Sequence, residues 1–526
     1  MQLLRKLAVV VGALALTGGM AHAQTPKKGG TLNFAVVAEP PTIDCHGVST
    51  FAFAHPGRPH YSTLLKFSGQ YDAMKIVGDL AESWEMSPDG LAYTFKLYKG
   101  VKFHDGAEMT SEDVKASYER IVRPPEGVIS LRRSAHADIG NIETPDPSTV
   151  VFKMKQPNAS MLIHFASPWN CIYRAAKLKE DPRFPEKTIL GTGAFKFVEY
   201  VKGSHWTGER FDGYFRQGRP YLDGYKAYFV KSNNVVTGIV GGQFDAEFRG
   251  RTPKERDQIV EGLKGNANVI EGPWVTSLLF TINVTRKPFD DIRVRQALSL
   301  AIDRWAGGEA LSKISALKYV SGLMRPGYEM ALPESELVKL PGFSKDINKS
   351  REEAKRLLKE AGVSNLKIKL VNRAIGEPYT TGAIYVMDQW KRIGVETEHS
   401  QIETKLFFDA MKDGNFDVLV EFISDFADDP TAQFDKILTK KKSSQAASGH
   451  TDEKVDELFE KQARTVDPAE RKKIVNELER YALTQSYSIP LLWWQRIIAN
   501  HKKIQGWEHQ ANHFTASDLV NVWLDE

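Results

Sequence analysis

The residues with which this chain could do chemistry are thirteen histidines, two cysteines and nearly balanced acids and bases. Phe103-His104-Asp105-Gly106 sets a histidine beside an aspartate after a strand-like stretch, a pairing used by general bases and metal sites. No third partner stands at a useful spacing, so Asp105-Gly106 reads as a turn and His104 as a strand-end residue. Gly191-Thr192-Gly193 opens like a dinucleotide loop, but Lys196 occupies the third glycine position. A glycine turn feeding a strand from Phe195 to Val198 is the simpler reading. There is no G-x-S-x-G elbow, no H-E-x-x-H, no Walker A loop and no C-x-x-C, so no nucleophile or acid pair can be named. His46, His55, His60, His104, His136 and His164 are scattered, and no resident metal or other cofactor is expected, although scatter does not exclude carriage of a chelated metal. Cys45 and Cys171 are too few for a thiolate metal cluster, and an oxidising compartment would permit them to pair. What stands out instead is 27 Phe, 17 Tyr and 10 Trp, the large rigid contact surfaces that binding clefts use.

The elements that must position such a surface follow from patterning. Met-Gln-Leu-Leu-Arg-Lys, the apolar run Leu7 to Leu16 and Ala21-His22-Ala23 form a basic region, an apolar core and a small-x-small cleavage site, so export with cleavage after Ala23 is expected. No cysteine follows that site directly, which argues against a lipid anchor, and no later segment reaches membrane-spanning length. The formal charge of +4 over 526 residues gives no electrostatic footprint for nucleic acid. This length leaves room for about three domains with clefts between them.

Trp84 to Leu97, with Ser87-Pro88-Asp89-Gly90 at its centre, predicts a β-hairpin on a type I turn. Thr110 with Asp113 predicts the capped start of a helix that ends before Pro124. Asp290-Asp291 opens a helix with Val294, Ala297, Leu298, Ala301 and Ile302 on one face. Ser350 with Glu353 reads as a capping box for a helix closed by Gly362. After it, strands Leu366–Val371, Val395–Glu398 and Phe416–Phe422 alternate with helices Thr381–Ile393 and Lys405–Lys412, an α/β unit whose strands should be parallel. Asp467-Pro468-Ala469-Glu470 starts a long helix to about Leu483, followed by a buried strand from Ile489 to Ile498.

Several of these segments together resemble a family. Leu80-Ala81-Glu82-Ser83-Trp84, Ser87-Pro88-Asp89-Gly90, Tyr93-Thr94-Phe95-Lys96-Leu97, Gly100 to Gly106 and Asp113-Val114 are similar to the signature of bacterial extracellular solute-binding proteins, which include the dipeptide- and oligopeptide-binding proteins of ABC importers. Gly191 to Lys196, Arg219 to Asp223, Pro288 to Ala297, Ala354 to Leu358, Gly394-Val395 and Ile489-Pro490-Leu491 extend the similarity over the whole mature chain. The resemblance implies an α/β, two-lobed periplasmic-binding-protein architecture of three domains with the ligand cleft between lobes. Residues 24–47, 166–272 and 486–526 would form a discontinuous domain I, 48–165 domain II and 273–485 domain III. It implies a periplasmic, monomeric receptor, not an enzyme, that passes a small molecule or peptide to an inner-membrane ABC permease. Peptide-like solutes lead; opines, sugars, amines and metal chelates are the other solute classes, and a periplasmic peptidase or glycosidase is the alternative of a different kind.

In the family's peptide binders an aspartate after a Gly-Trp pair holds the ligand's amino group. Here the matching stretch is Phe422 to Pro430, without the Gly-Trp, which makes Asp425 the nearest match and Asp428 the second. Arg373, just past a parallel strand end, is the candidate for an anionic group of the ligand. Trp274, Trp493 and Trp494 are candidate pocket walls, with at least one of the adjacent pair expected in plain core. By the same resemblance Cys45 and Cys171 both lie where the chain crosses between domains I and II, close enough for a possible disulfide.

Overall fold

The computed structural model describes residues 25–69, 75–424, 426–443 and 445–526. The expected leader and its cleavage after Ala23 lie outside the described residues, as does Asp425.

Apolar alternation builds three main sheets. Thr31–Val36 runs parallel to Gly224–Phe229 on one side and to Ala246–Glu247 on the other, and His205–Arg210 with Phe195–Val201 completes a five-stranded sheet. Leu32, Phe34, Phe195, Trp206 and Tyr225 fill its core. The turn at Gly191–Gly193 has a steric reason: a Cβ on Gly193 would lie 2.4 Å from the Pro59 carbonyl oxygen.

The hairpin signature makes a second sheet, of four antiparallel strands ordered Ala81–Met86, Ala92–Leu97, Thr149–Met154, Ile139–Asp146. Gly90 donates to the Ser87 carbonyl at 2.8 Å and adopts φ +69°, which glycine takes without strain. Helix Ser111–Val122 covers the sheet, its start held by the Asp113 carboxylate accepting the Thr110 N–H at 2.7 Å. Trp84, His104 and Asp105 are scaffold: His104 reaches the Gly193 carbonyl and Asp105 pairs with Arg174.

These two sheets form one lobe, joined by a buried cluster. Arg120 meets Asp44 at 2.6 Å with both side chains 3% exposed, Tyr173 donates to Asp44, and Cys45 and Cys171 form a disulfide with Cα atoms 6.2 Å apart.

The other lobe is a six-stranded sheet ordered Leu317–Tyr319, Ser488–His501, Ala267–Ile282, Val418–Ser424, Lys367–Arg373, Glu396–Ile402. The last three strands are parallel, as the α/β patterning requires. Helix Ile347–Glu360 starts a turn earlier than the Ser350–Glu353 box suggests. Asp346 is the cap, accepting the Lys349 N–H at 3.1 Å, and Ser350 sits inside the helix, donating to the Asp346 carbonyl.

Two long strands connect the lobes. Ser277–Thr281 pairs with Ser488–Trp493 in the six-stranded sheet, the register breaks between Pro273 and Ser277, and Ala267–Pro273 then pairs with Gln495–His501. That outer half joins the first lobe, where His501 donates to Asp245, Arg251 donates to Ile497, and Arg496 donates to the Arg249 carbonyl. Pro273, with no N–H to give, stands at the break. The return crossing lies near Trp494–Gln495, inside strand Ser488–His501.

Candidate ligand-binding site

Between the lobes a continuous aromatic wall runs from one sheet to the other. Phe51 and His513 approach to 5.9 Å between ring centroids, His513 and Trp274 to 5.2 Å, Trp274 and Trp494 to 5.6 Å, Trp494 and Tyr379 to 6.0 Å, and Tyr379 and Phe422 to 6.1 Å. Phe51 and His513 belong to the first lobe, Tyr379 and Phe422 to the second, and Trp274 and Trp494 to the two connecting strands.

An arginine stands at each end of this wall. Arg373 closes strand Lys367–Arg373, and its guanidinium lies 4.4 Å from the Tyr379 centroid and 5.3 Å from that of Phe422. Arg249 follows strand Ala246–Glu247 and lies 5.2 Å from the Phe51 centroid. Both sit at the carboxyl ends of parallel strands facing the interlobe space, where α/β sheets gather their ligands. Neither pairs with an acid among the described residues. Burial holds the Arg249 guanidinium below its usual range, and the nearby charges of Arg251 and Arg373 act the same way against the pull of Glu247. Burial raises the Tyr379 phenol, while Arg373 and Arg249 draw it down.

Several polar atoms along the wall are buried yet meet no partner among the described residues: Arg249 Nε, Trp494 Nε1, and Nδ1 of His55 and of His513. An unpaired buried polar atom costs about 1–3 kcal/mol, so these are positions at which a solute is expected to complete the bonding.

Sequence-derived candidates divide by strand facing. Trp274 and Trp494 are in the wall. Trp493 is not: it is fully buried and donates its indole N–H to the Gly322 carbonyl at 2.9 Å, because adjacent strand residues face opposite ways. Asp428 is in an ion pair with Arg325, Nε to Oδ2 2.7 Å, with both side chains nearly inaccessible. Arg249, Phe51, Tyr379, His55 and His513 were not singled out in sequence. The strand-end rule that flagged Arg373 applies equally to Arg249, but a two-residue strand leaves no periodicity to read.

The loop from Phe426 to Asp429 is clamped at several points. Phe426 and Ala427 pack into the apolar cluster of the four-stranded sheet, and Asp429 accepts from Ser160 Oγ of the first lobe at 2.8 Å and from Arg471 at 3.1 Å. Beside it Arg464 meets Asp138 across the lobes at 2.8 Å. Arg471→Ala would strand a buried Asp429 and is expected to cost about 3–5 kcal/mol of stability. Arg464, a third exposed, is expected to cost under about 1 kcal/mol on the same change. Urea unfolding of the two variants checks the contrast, and equal losses would show that the seam is energetically uniform.

Residues 75–445 match the model of the family described as bacterial extracellular solute-binding proteins, family 5, middle region. The chain belongs to this family. Glutathione-binding protein GsiB of Pectobacterium atrosepticum is 32% identical over 294 residues, 56% of this chain and 54% of that protein. GsiB of Escherichia coli K12 is 30% identical over 295 residues, with the same shares. The chain therefore spans about half the length of the curated relatives it matches. Solved structures extend the likeness: the Helicobacter pylori periplasmic binding protein DppA with peptide STSA has TM-score 0.77 at 22% identity, covering 95% of this chain and 99% of that one. The A. tumefaciens R10 protein AgaA with agropinic acid has TM-score 0.75 at 26% identity, covering 94% and 99%. Membership of a solute-binding family accounts for a wall rich in contact surface and poor in catalytic groups.

Proposed function

We propose that this chain is an exported solute receptor of an ABC importer, closing its lobes over a peptide or peptide-like solute and delivering it to an inner-membrane permease. The observation that carries this reading is the interlobe aromatic wall whose buried polar atoms lack partners among the described residues. The relatives' names point the same way: one set binds glutathione, and two structural neighbours hold a peptide and agropinic acid. The leader is removed after Ala23, the mature protein works as a periplasmic monomer, and the three expected domains move as two bodies about the paired strands near Pro273 and Trp494. A solute touching both lobes stabilises the closed form by its differential affinity.

The test is to incubate the mature protein with a peptide pool, follow melting temperature, and recover the bound solute by mass spectrometry. A receptor gains about 2.7 kcal/mol at a hundredfold excess over Kd and returns the solute unchanged. Products in place of intact solute would defeat the reading. Small-angle scattering with and without the recovered solute should show a smaller radius of gyration when bound, and no change would count against hinge closure.

Asp425 is our candidate for an ammonium group of the solute. Asp425→Asn is then expected to cost about 2–5 kcal/mol of binding if the pair is buried. Asp428→Asn should act on stability through Arg325 and leave the binding enthalpy near that of the parent. Calorimetry on both variants separates the roles, and unchanged affinity in Asp425→Asn would remove the amine anchor from this loop.

A further inference from the structure

The charge balance around the wall specifies more than a solute. Glu247, the acid nearest Arg249, is already held by Arg251 at 2.7 Å and accepts the backbone N–H groups of Arg249 and Gly250. Glu421, on the strand beside Arg373, is held by Lys436 at 2.9 Å and accepts from Thr281 at 2.6 Å. Among the described residues these two acids are thus matched by other cations, and the guanidinium groups of Arg249 and Arg373 pair with no acid. Of the unmet atoms, Arg249 Nε and Trp494 Nε1 can only donate. Others can accept: Glu421 Oε2 beside Lys436, Nδ1 of His513 in one of its two neutral tautomers, and His55. The His55 Nε2–H is used on the His513 carbonyl at 2.7 Å, so its Nδ1 offers a lone pair.

We propose that the solute carries two carboxylates, one held by Arg249 on the first lobe and one by Arg373 on the second, with its body against the Trp274–Trp494 wall. This rests on the receptor reading above and adds the charge of its cargo. A guanidinium laid over aromatic faces keeps its N–H edge for an in-plane acceptor, which a carboxylate fills with two parallel bonds. Because the arginines sit on opposite lobes, a solute with one acid would leave one of them uncompensated on closure. The second carboxylate therefore makes closure selective, rejecting neutral and singly charged analogues by the unpaired charge they would leave behind.

The experiment uses a low-molecular-weight fraction of rich growth medium, half of it methyl-esterified in acidic methanol so that carboxylates become neutral esters. Mature protein, freed of bound solute by unfolding and refolding, is incubated with each half, washed and unfolded, and what it releases is weighed by mass spectrometry. The expected result is a solute retained only from the untreated half that takes up two methyl groups when esterified after release. Arg249→Gln and Arg373→Gln should each weaken binding of that solute on the order of 30-fold or more, with Arg249→Lys retaining part of the affinity. Trp494→Phe keeps an aromatic face but loses the indole N–H together with the five-membered ring of a buried side chain, so its unliganded melting temperature is measured beside binding, and binding should fall several-fold while the unliganded protein still melts cooperatively. A retained solute with one acid group or none, or equal retention from both halves, overturns the dicarboxylate proposal and leaves the receptor reading standing. Retention of nothing from either half overturns both.

Discussion

Unfolding free energy should fall steeply as pH is lowered from about 6.5, well above the range in which carboxylates usually govern acid stability. Three histidines of the first lobe are locked in the neutral form by both ring nitrogens. His60 donates from Nδ1 to the Phe195 carbonyl at 2.8 Å and accepts the Trp206 indole N–H on Nε2 at 2.9 Å. His46 donates from Nε2 to the Cys171 carbonyl at 2.9 Å and accepts from Arg120 on Nδ1 at 3.1 Å. His136 donates from Nδ1 to the Arg132 carbonyl at 3.0 Å and accepts from Asn170 on Nε2 at 3.1 Å. Protonation would put a hydrogen against an existing donor inside a dry core, and burial pushes all three pKa values down to about 3.

In the unfolded chain a histidine titrates near 6.5. As pH falls, the unfolded state therefore takes up these protons first. The stability they contribute is complete above about 6.5 and is lost down to the folded values near 3. Glu479 opposes them: burial raises it to about 7 although it accepts from the backbone of Leu323, Met324 and Leu332, so the folded state binds its proton more readily. Three histidines less one glutamate leave about two protons, or about 3 kcal/mol per pH unit. His55 and His104, both lowered to about 4, add to the same side. Buried acids with lowered pKa, such as Asp44 and Glu247, act only below the ordinary carboxylate range and do not share the upper window. From pH 6.5 to 4.5 that slope removes about 6 kcal/mol, a large share of a total stability of about 5–15 kcal/mol. Denaturant titrations at pH 7.5, 6.5, 5.5 and 5.0 measure the slope. Constant stability down to pH 5.5 would mean that these imidazoles are not held neutral.

The second large effect belongs to the disulfide. Cys45 and Cys171 are 126 residues apart in sequence and wholly inaccessible in the fold. In the chain-entropy account a closed loop of that size removes about 5 kcal/mol of freedom from the unfolded chain. Cys45→Ser with Cys171→Ser should lower the urea midpoint by a corresponding amount, while leaving the native spectrum intact because Arg120 and Asp44 still join the two sheets. Thiol titration of denatured, unreduced protein should find no free groups. Two reactive thiols there would refute the bridge, and equal midpoints in oxidised and reduced protein would refute its energetic role.

The elements themselves were legible because their causes are local. The turn at Ser87–Gly90, the helix after Thr110, the proline-led helix from Pro468 and the parallel strands after Gly362 each follow from spacing and caps within about a dozen residues. The helix at Ile347 began a turn early because Asp346 and Ser350 both have capping chemistry, and only the backbone path decides which one caps. The family and the two-lobed plan were also readable, since motifs such as Pro288 to Ala297 persist as short contiguous strings.

The site was legible only in part. Arg373 could be placed because a readable strand ends on it, and Trp494 could be paired with Trp493 but not told from it until sheet pairing set the facing of the strand. Arg249, Phe51 and His513 come from three distant stretches of the first lobe, and nothing in their neighbours marks them. Sequence by itself determined the local elements and the family. Tertiary structure alone decided which aromatics form the wall, which acids are already spent on Arg251, Lys436 and Arg325, and hence which arginines are left over. The physical reason is that a charge is surplus only with respect to neighbours in space, and pairings across lobes leave no periodic trace along the chain.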